Sequence, residues 1–208
     1  MNFQRAMIKW KIIFFRTYLK EMERTLKEKE ADLIQKWENI KKDPSNDNDY
    51  EDYLIDCNYE LKQQFSFFYA SFIVIIFSFL EDKLNEICEI FSIKHKLRIK
   101  LKDMDGHGIH KAKLFMEKVC DFTLPNKKLQ AELEGIRLIR NCLVHSGEET
   151  NGKKLIIYAQ KTKKIKIEEN PYNTKIKTIK VAKDYCDYAI NIIEDYLLTL
   201  TDLNKNKL

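Results

Sequence analysis

Glycine and proline are scarce in this chain, at five and three in 208 residues. That leaves too few tight-turn residues for a turn-rich β fold and favours long helices. The five cysteines, Cys57, Cys88, Cys120, Cys142 and Cys186, are odd in number, widely spaced and never arranged as CxxC. A disulfide scaffold does not fit this pattern, which points instead to a reducing, cytoplasmic setting. Most of the five fall within apolar helical patterns, where a free thiol acts as a small core residue. No glycine loop of the G-x-x-x-x-G-K type occurs, which argues against an ATPase or GTPase. The N-terminal MNFQRAMIKWKIIFF is basic and apolar, but charges interrupt it and no small-residue cleavage site follows. It reads as a mature helix and not as a signal peptide.

What is present is ordinary for a globular protein: 44% hydrophobic and 33% charged residues, too apolar for disorder. The net charge of +5 allows a polyanionic partner without demanding one. Residues 1–208 read as one domain, mainly α: a bundle of four to five helices around a long apolar one. A small antiparallel sheet is inserted before the last helix.

Along residues 1–43, apolar residues at 3, 7, 10, 14, 18, 22, 26, 33, 37 and 40 keep steps of three or four, with one gap. They describe a long amphipathic helix, with a break expected near Glu28-Lys29-Glu30. Pro44 and its polar neighbours to Asp49 read as a loop. The core helices occupy 50–145. The first runs from about Tyr50 into Ile93 and includes Phe65–Leu80, sixteen residues without a charge. A spanning helix needs roughly 20 apolar residues. Ser66, Ser71 and Ser78 dilute this run, and Glu81 and Asp82 follow it directly, so a buried central helix is expected and no membrane. A turn at Asp103–Gly108 leads to a short helix from Ile109 to about Cys120. The next, from Lys127 to His145, has Leu129, Leu133, Ile136, Leu143 and either Ile139 or Cys142 on its apolar face. Ser146-Gly147 ends it, glycine being suited to a left-handed cap. Within 153–181, Leu155–Tyr158, Ile165–Ile167 and Lys175–Val181 read as short strands with a turn at Asn170–Asn173, and 182–203 as a closing helix. Trp10 and Trp37 are assigned to core and rim and not to base stacking.

The helix end Arg140-Asn141-Cys142-Leu143-Val144-His145 is the best candidate for chemistry. Asn141 and His145 are one turn apart on one face. Arg140 lies about 140° round the helix from His145, an angle that a long arginine and a fraying last turn can close. Guanidinium pairs two phosphate oxygens at once, and imidazole moves protons near neutral pH. These parts suit RNA cleavage by the substrate's own 2′-hydroxyl, which asks the protein only for proton transfer and charge stabilisation, and for no metal or other cofactor. One histidine is short of an acid and a base. A symmetric homodimer with two helix ends across a shared groove would supply the second. The plainer alternative is that both basic residues serve the free carbonyls of the last turn.

Arg140-Asn141-x-x-x-His145 resembles the R-x4-6-H motif of the HEPN domains, in which asparagine often follows the arginine. The surroundings are similar too: an apolar helix ending in Phe79-Leu80-Glu81, then the motif helix, then a closing amphipathic helix, over roughly residues 50 to 200. The resemblance implies a dimerising helical bundle and a metal-independent endoribonuclease, often a toxin or antiviral effector, sometimes restrained by a regulatory or antitoxin protein. Some members bind without cutting. It assigns Arg140 to the scissile phosphate, His145 to acid/base catalysis and Asn141 to orienting the pair, with Glu81 in support. Some relatives carry a tyrosine two places after the histidine as a modification site, and here Gly147 stands there. The long first helix and the lysine-rich sheet are not general features of that family.

Secondary constellations complete the reading. Lys153, Lys154, Lys161, Lys163, Lys164 and Lys166, with later lysines, are opposed nearby only by Glu168 and Glu169 and form an expected RNA-backbone surface. The alternative is a solvated edge that discourages strand pairing. Asp103, Asp105, His107 and His110 make a weak metal pattern, and Cys142 with His145 a weak thiol–imidazole pair.

Overall fold

The computed structural model describes residues 3–42, 48–170 and 173–208. It contains six α-helices: α1 (Phe3–Lys42), α2 (Asn48–Lys94), α3 (Gly108–Lys118), α4 (Lys127–Ser146), α5 (Lys153–Thr162) and α6 (Lys183–Leu203). Three short strands, β1 (Glu149–Thr150), β2 (Lys166–Glu169) and β3 (Lys177–Lys180), form an antiparallel sheet in the order β1-β3-β2. The mainly α architecture with a small sheet before the last helix matches the sequence reading, with one helix more than the four to five expected. Of the loop expected over Lys42–Asp49, residues 43–47 lie outside the described residues, while Lys42 belongs to α1 and Asn48 and Asp49 to α2, so both helices run further than expected. Pro171 and Tyr172 of the expected turn are likewise outside the described residues, although Asn173 does donate its backbone N–H to Asn170 Oδ1 at 3.1 Å.

Helix α2 is central, packing on α1, α3, α4 and α6. Its Phe72, Ile73, Ile76, Phe77, Leu80, Leu84 and Ile87 are nearly inaccessible and form the spine of the main core. It is not wrapped all round, however: Phe67 and Ile75 stand in solvent at 69% and 44% exposure. From Asp52 to Lys94 it is long and apolar enough to cross a membrane by length and composition, and 39% of that apolar window is buried within the fold.

Helix α1 is continuous through Glu28–Glu30, so the expected break is absent. Ion pairs from Arg24 to Glu21 and to Glu28, both at 3.0 Å, line that stretch at helical spacing. Over its first half the face it buries also differs from the expectation, whereas Leu26 and Leu33 of the expected stripe are buried further along. Ile8, Ile12, Phe15 and Leu19 are the core residues, while Phe3, Trp10 and Phe14 of the stripe read from sequence are 71%, 61% and 48% exposed. Both stripes step by three and four residues, so periodicity alone could not choose between them. Trp10 is therefore a surface residue, whereas Trp37 borders a smaller cluster of Leu26, Leu33, Leu54 and Leu61 that holds the outer half of the α1–α2 hairpin.

The segment Leu155–Tyr158 is helical and not a strand. Its buried residues, Leu155, Tyr158 and Ala159, follow an i, i+3, i+4 pattern that adjacent Ile156 and Ile157 conceal in the sequence. Tyr158 packs where α4 carries Gly135: a Cβ at that position would fall within the tyrosine ring. Strand β3 lies within the expected Lys175–Val181, whereas β2 shares only Lys166 and Ile167 with the expected Ile165–Ile167 and runs on to Glu169; the two pair in register Ile167↔Ile179. Strand β1 replaces the misassigned first strand, pairing Glu149↔Thr178. Gly147 caps α4 at φ +55°, as its position after Ser146 suggests.

Candidate functional site

Helices α3 and α4 each pack on α2, and the gap between them is an open cavity of about 600 Å³. Phe77 and Glu81 of α2 line it, one helical turn apart. The start of α3 contributes His107, Gly108, Ile109 and His110. The facing wall is α4, with Glu134, Arg137, Arg140 and Asn141.

Three of the four residues singled out from the sequence are brought together here: Arg140, Asn141 and Glu81. Arg140 Nη1 donates to Asn141 Oδ1 at 3.1 Å. Arg140 has no ion-pair partner among the described residues, and its Nε is buried without an acceptor. A buried donor left unpaired costs about 1–3 kcal/mol. Glu81 is half-buried against the first turn of α3. Gly108 makes that approach possible: its φ is +54°, and a Cβ there would sit 2.5 Å from Glu81 Oε1.

His145 is not brought in. It lies on the same face of α4 as Glu134 and Asn141, but one turn beyond the cavity, exposed and without a hydrogen bond among the described residues. Glu134, Arg137, His107 and His110 stand in the lining beside Arg140, Asn141 and Glu81. Glu134, Arg137 and Asn141 form a polar stripe at three- and four-residue spacing, a signal present in the sequence but hidden beside the more conspicuous motif. Arg137 holds Glu134 through two hydrogen bonds of 2.8 and 2.6 Å. Those bonds, with the nearby cations Lys113 and Lys154, keep the Glu134 carboxyl below its ordinary range. Arg137 is correspondingly raised by the same carboxylate, and burial pushes Lys113 down. Since Arg137 is already paired, Arg140 is the cation left for a ligand in this cavity.

His107 and His110 arrive from the segment that gave the weak metal pattern. Asp103 of that pattern is engaged elsewhere, accepting the Lys100 backbone N–H at 2.8 Å. No group of three or more His, Cys, Asp or Glu side chains among the described residues is arranged to hold a metal ion. The Cys142–His145 pair is not assembled: Cys142 is buried, its thiol directed to the Glu149 carbonyl at 3.3 Å, and burial pushes it up to about 11. That leaves negligible thiolate near neutral pH.

The lysine surface is rearranged and partly neutralised. Lys153, Lys154 and Lys161 lie on helix α5, not on the sheet, and Lys163 and Lys164 follow it. Lys161 faces Glu132 at 3.7 Å, Lys166 pairs with Glu168 at 2.5 Å, and Lys180 pairs with Glu148. The opposing carboxylates therefore extend beyond the Glu168 and Glu169 expected. Lys153, Lys154, Lys163 and Lys164 remain exposed and without ion-pair partners among the described residues.

Fold and cavity together show a helical-bundle protein with an open cavity where an arginine–amide pair and two imidazoles are among the lining side chains. Comparison with family models, curated proteins and solved structures finds no match to this chain.

Proposed function

We propose that the protein is a HEPN-like, metal-independent endoribonuclease of the cytoplasm that binds the scissile phosphate with Arg140 and Asn141. The observation that carries this reading is the Arg140 guanidinium, hydrogen-bonded to Asn141 at 3.1 Å and free of any carboxylate partner among the described residues, in an open cavity with imidazoles. Guanidinium is suited to the two non-bridging oxygens of a phosphodiester, and the reaction draws its nucleophile from the RNA itself. In the step proposed, the 2′-oxygen bonds to the adjacent phosphorus as the bond to the 5′-oxygen breaks. One group removes the 2′-hydroxyl proton and another protonates the departing 5′-oxygen. The products are a 2′,3′-cyclic phosphate and a 5′-hydroxyl. His145, one turn from Asn141, is proposed as one of these groups, and Glu81 as support for the α3 side of the cavity. Exposed Lys153, Lys154, Lys163 and Lys164 extend a path for the RNA backbone, the charge of Lys154 being felt at Glu134. A role as toxin or antiviral effector, a homodimer and a restraining partner protein belong to the same proposal and rest on the family resemblance.

The position of His145 outside the cavity favours a second reading, a module of the same fold that binds RNA without cutting it. Parallel measurement of binding and cleavage separates the two. The enzyme reading expects Arg140→Ala to weaken both and His145→Ala to abolish cleavage with binding retained. The binding reading expects no cleavage by any form. Recovery of the protein in the soluble fraction without detergent tests the expectation that α2 is a core helix and no membrane anchor.

A further inference from the structure

The first half of α1 carries two apolar faces. One, through Ile8, Ile12, Phe15 and Leu19, is the core contact already described. The other is made of Phe3, Met7, Trp10, Ile13, Phe14 and Tyr18, each between 37% and 71% exposed. At about 100° per residue these six fill an arc of about 140°, its middle roughly opposite the buried stripe. Thr17 is the only polar side chain within that arc until Glu21 closes it. The face runs about 22 Å along one continuous helix. Exposed apolar side chains scattered singly are ordinary, but an aligned and uninterrupted set marks an interaction surface.

The charges around it say what kind of surface it meets. Residues 3–20 include five basic side chains and no acidic one. Arg5 and Arg16 turn towards α6, pairing with Asp202 and, at 2.7 Å, with Glu194. Lys9, Lys11 and Lys20 have no ion-pair partner among the described residues. They flank the apolar arc, Lys9 and Lys20 along one edge and Lys11 along the other. Lys11 Nζ lies over the Phe14 and Phe15 rings, 4.8 and 5.5 Å from their centroids, so its stem follows the apolar surface. A second copy laid along this face would set these lysines against their own copies, with no acidic residue within 3–20 to meet them. A bilayer with anionic headgroups supplies negative charge along both edges and hydrocarbon between them. The amphipathic rings of Trp10 and Tyr18 suit the level of the headgroups.

We propose that the outer face of the first half of α1 docks on an anionic lipid surface. The helix lies in the plane of the interface with Phe3, Trp10 and Phe14 inserted, and Lys9, Lys11 and Lys20 reach the headgroups. Helix α2 stays in the core, so the contact is peripheral and nothing crosses the bilayer. The proposal is independent of the ribonuclease reading, because it uses no residue of the cavity between α3 and α4.

The test is flotation of the full chain with vesicles of phosphatidylcholine, alone or with phosphatidylserine added. Binding is expected to be about tenfold tighter or more with phosphatidylserine present, and to weaken as salt is raised. The chain has two tryptophans, so in a Trp37→Phe protein the emission reports Trp10 alone. That emission should shift to the blue on binding and be quenched by brominated acyl chains. Trp10→Asp should weaken binding about tenfold or more with the melting temperature unchanged. Replacing Lys9, Lys11 and Lys20 together by glutamine should weaken it about 100-fold. Wild type that binds neither vesicle would overturn the proposal and leave the face to a protein partner. Equal binding to both vesicles, or a bound protein whose Trp10 is not quenched, would overturn it too. So would a wild-type dimer that ignores vesicles and becomes monomeric with Trp10→Asp, since the face would then belong to a second copy. No step measures RNA cleavage, so the ribonuclease reading stands or falls separately.

Discussion

Arg140 and Asn141 are neighbours in sequence and partners in space, the arginine Nη1 donating to the amide oxygen at 3.1 Å while its Nε remains buried and unpaired. This relationship makes Asn141 the determinant of what Arg140 is free to bind. Asn141→Asp should convert the amide contact into an ion pair and occupy the guanidinium. RNA affinity should then fall below that of Asn141→Ala. Arg140→Ala, which removes a charge-assisted contact of about 1.5–3 kcal/mol, should weaken binding roughly 10- to 100-fold. Filter binding at fixed ionic strength measures all three.

Glu134 reports on the charge balance of the same wall. Its carboxyl is held below the ordinary range by Arg137 first, then by Lys113 and Lys154. Its depressed folded value means that this contribution to stability is fully present above the ordinary carboxylate range and is lost as pH falls through the folded value. A carbon-detected NMR titration should show Glu134 ionising at lower pH than an exposed glutamate, and Arg137→Ala should move it upward. No movement would place the pair apart in solution.

The contact between α4 and α5 depends on Gly135. Adding a methyl there meets the Tyr158 ring directly. Gly135→Ala should lower stability by about 1–3 kcal/mol, the usual cost of overpacking, despite alanine's better helix propensity. Thermal melting checks this, and a simultaneous Tyr158→Leu substitution should recover part of the loss.

The two stripes of α1 should respond oppositely to charge. Ile12 is 1% exposed and Trp10 61%. Ile12→Asp places an unpaired carboxylate in the core and should unfold the protein or lower its melting temperature severely. Trp10→Asp should leave melting nearly unchanged. A severe loss with Trp10→Asp would reverse the assignment of faces.

Cysteine reactivity offers an independent check on the core. Burial pushes Cys88 up to about 12 and Cys120 and Cys142 up to about 11, and raises Cys186 further still. Cys57 is only half-buried. Under native conditions an alkylating reagent at neutral pH should label Cys57 well before the other four, as peptide mass mapping would show.

Some of this architecture was readable in the residues. The end of α4 was marked by Gly147, the spine of α2 by its uncharged run, and the Arg140–Asn141 unit by its place near the end of α4; Glu81 was singled out as the acidic end of the apolar helix, but α2 continues through it to Lys94. The α5 helix was not, because consecutive Leu155, Ile156 and Ile157 fit a strand as well as a helix until packing on Gly135 selects Tyr158 and Ala159. The buried face of α1 was hidden by a second stripe with equal spacing. The cavity itself depends on how α3 and α4 meet α2, so the approach of His107 and His110 to Arg140 is a tertiary fact that no local pattern encodes.

The central claim is tested most directly by mass spectrometry of the ends produced when purified protein meets a mixed RNA pool in excess EDTA. The account predicts 2′,3′-cyclic phosphate and 5′-hydroxyl ends from the wild type and none from Arg140→Ala. Intact RNA across substrates and pH values, or ends bearing 5′-phosphate, would contradict it.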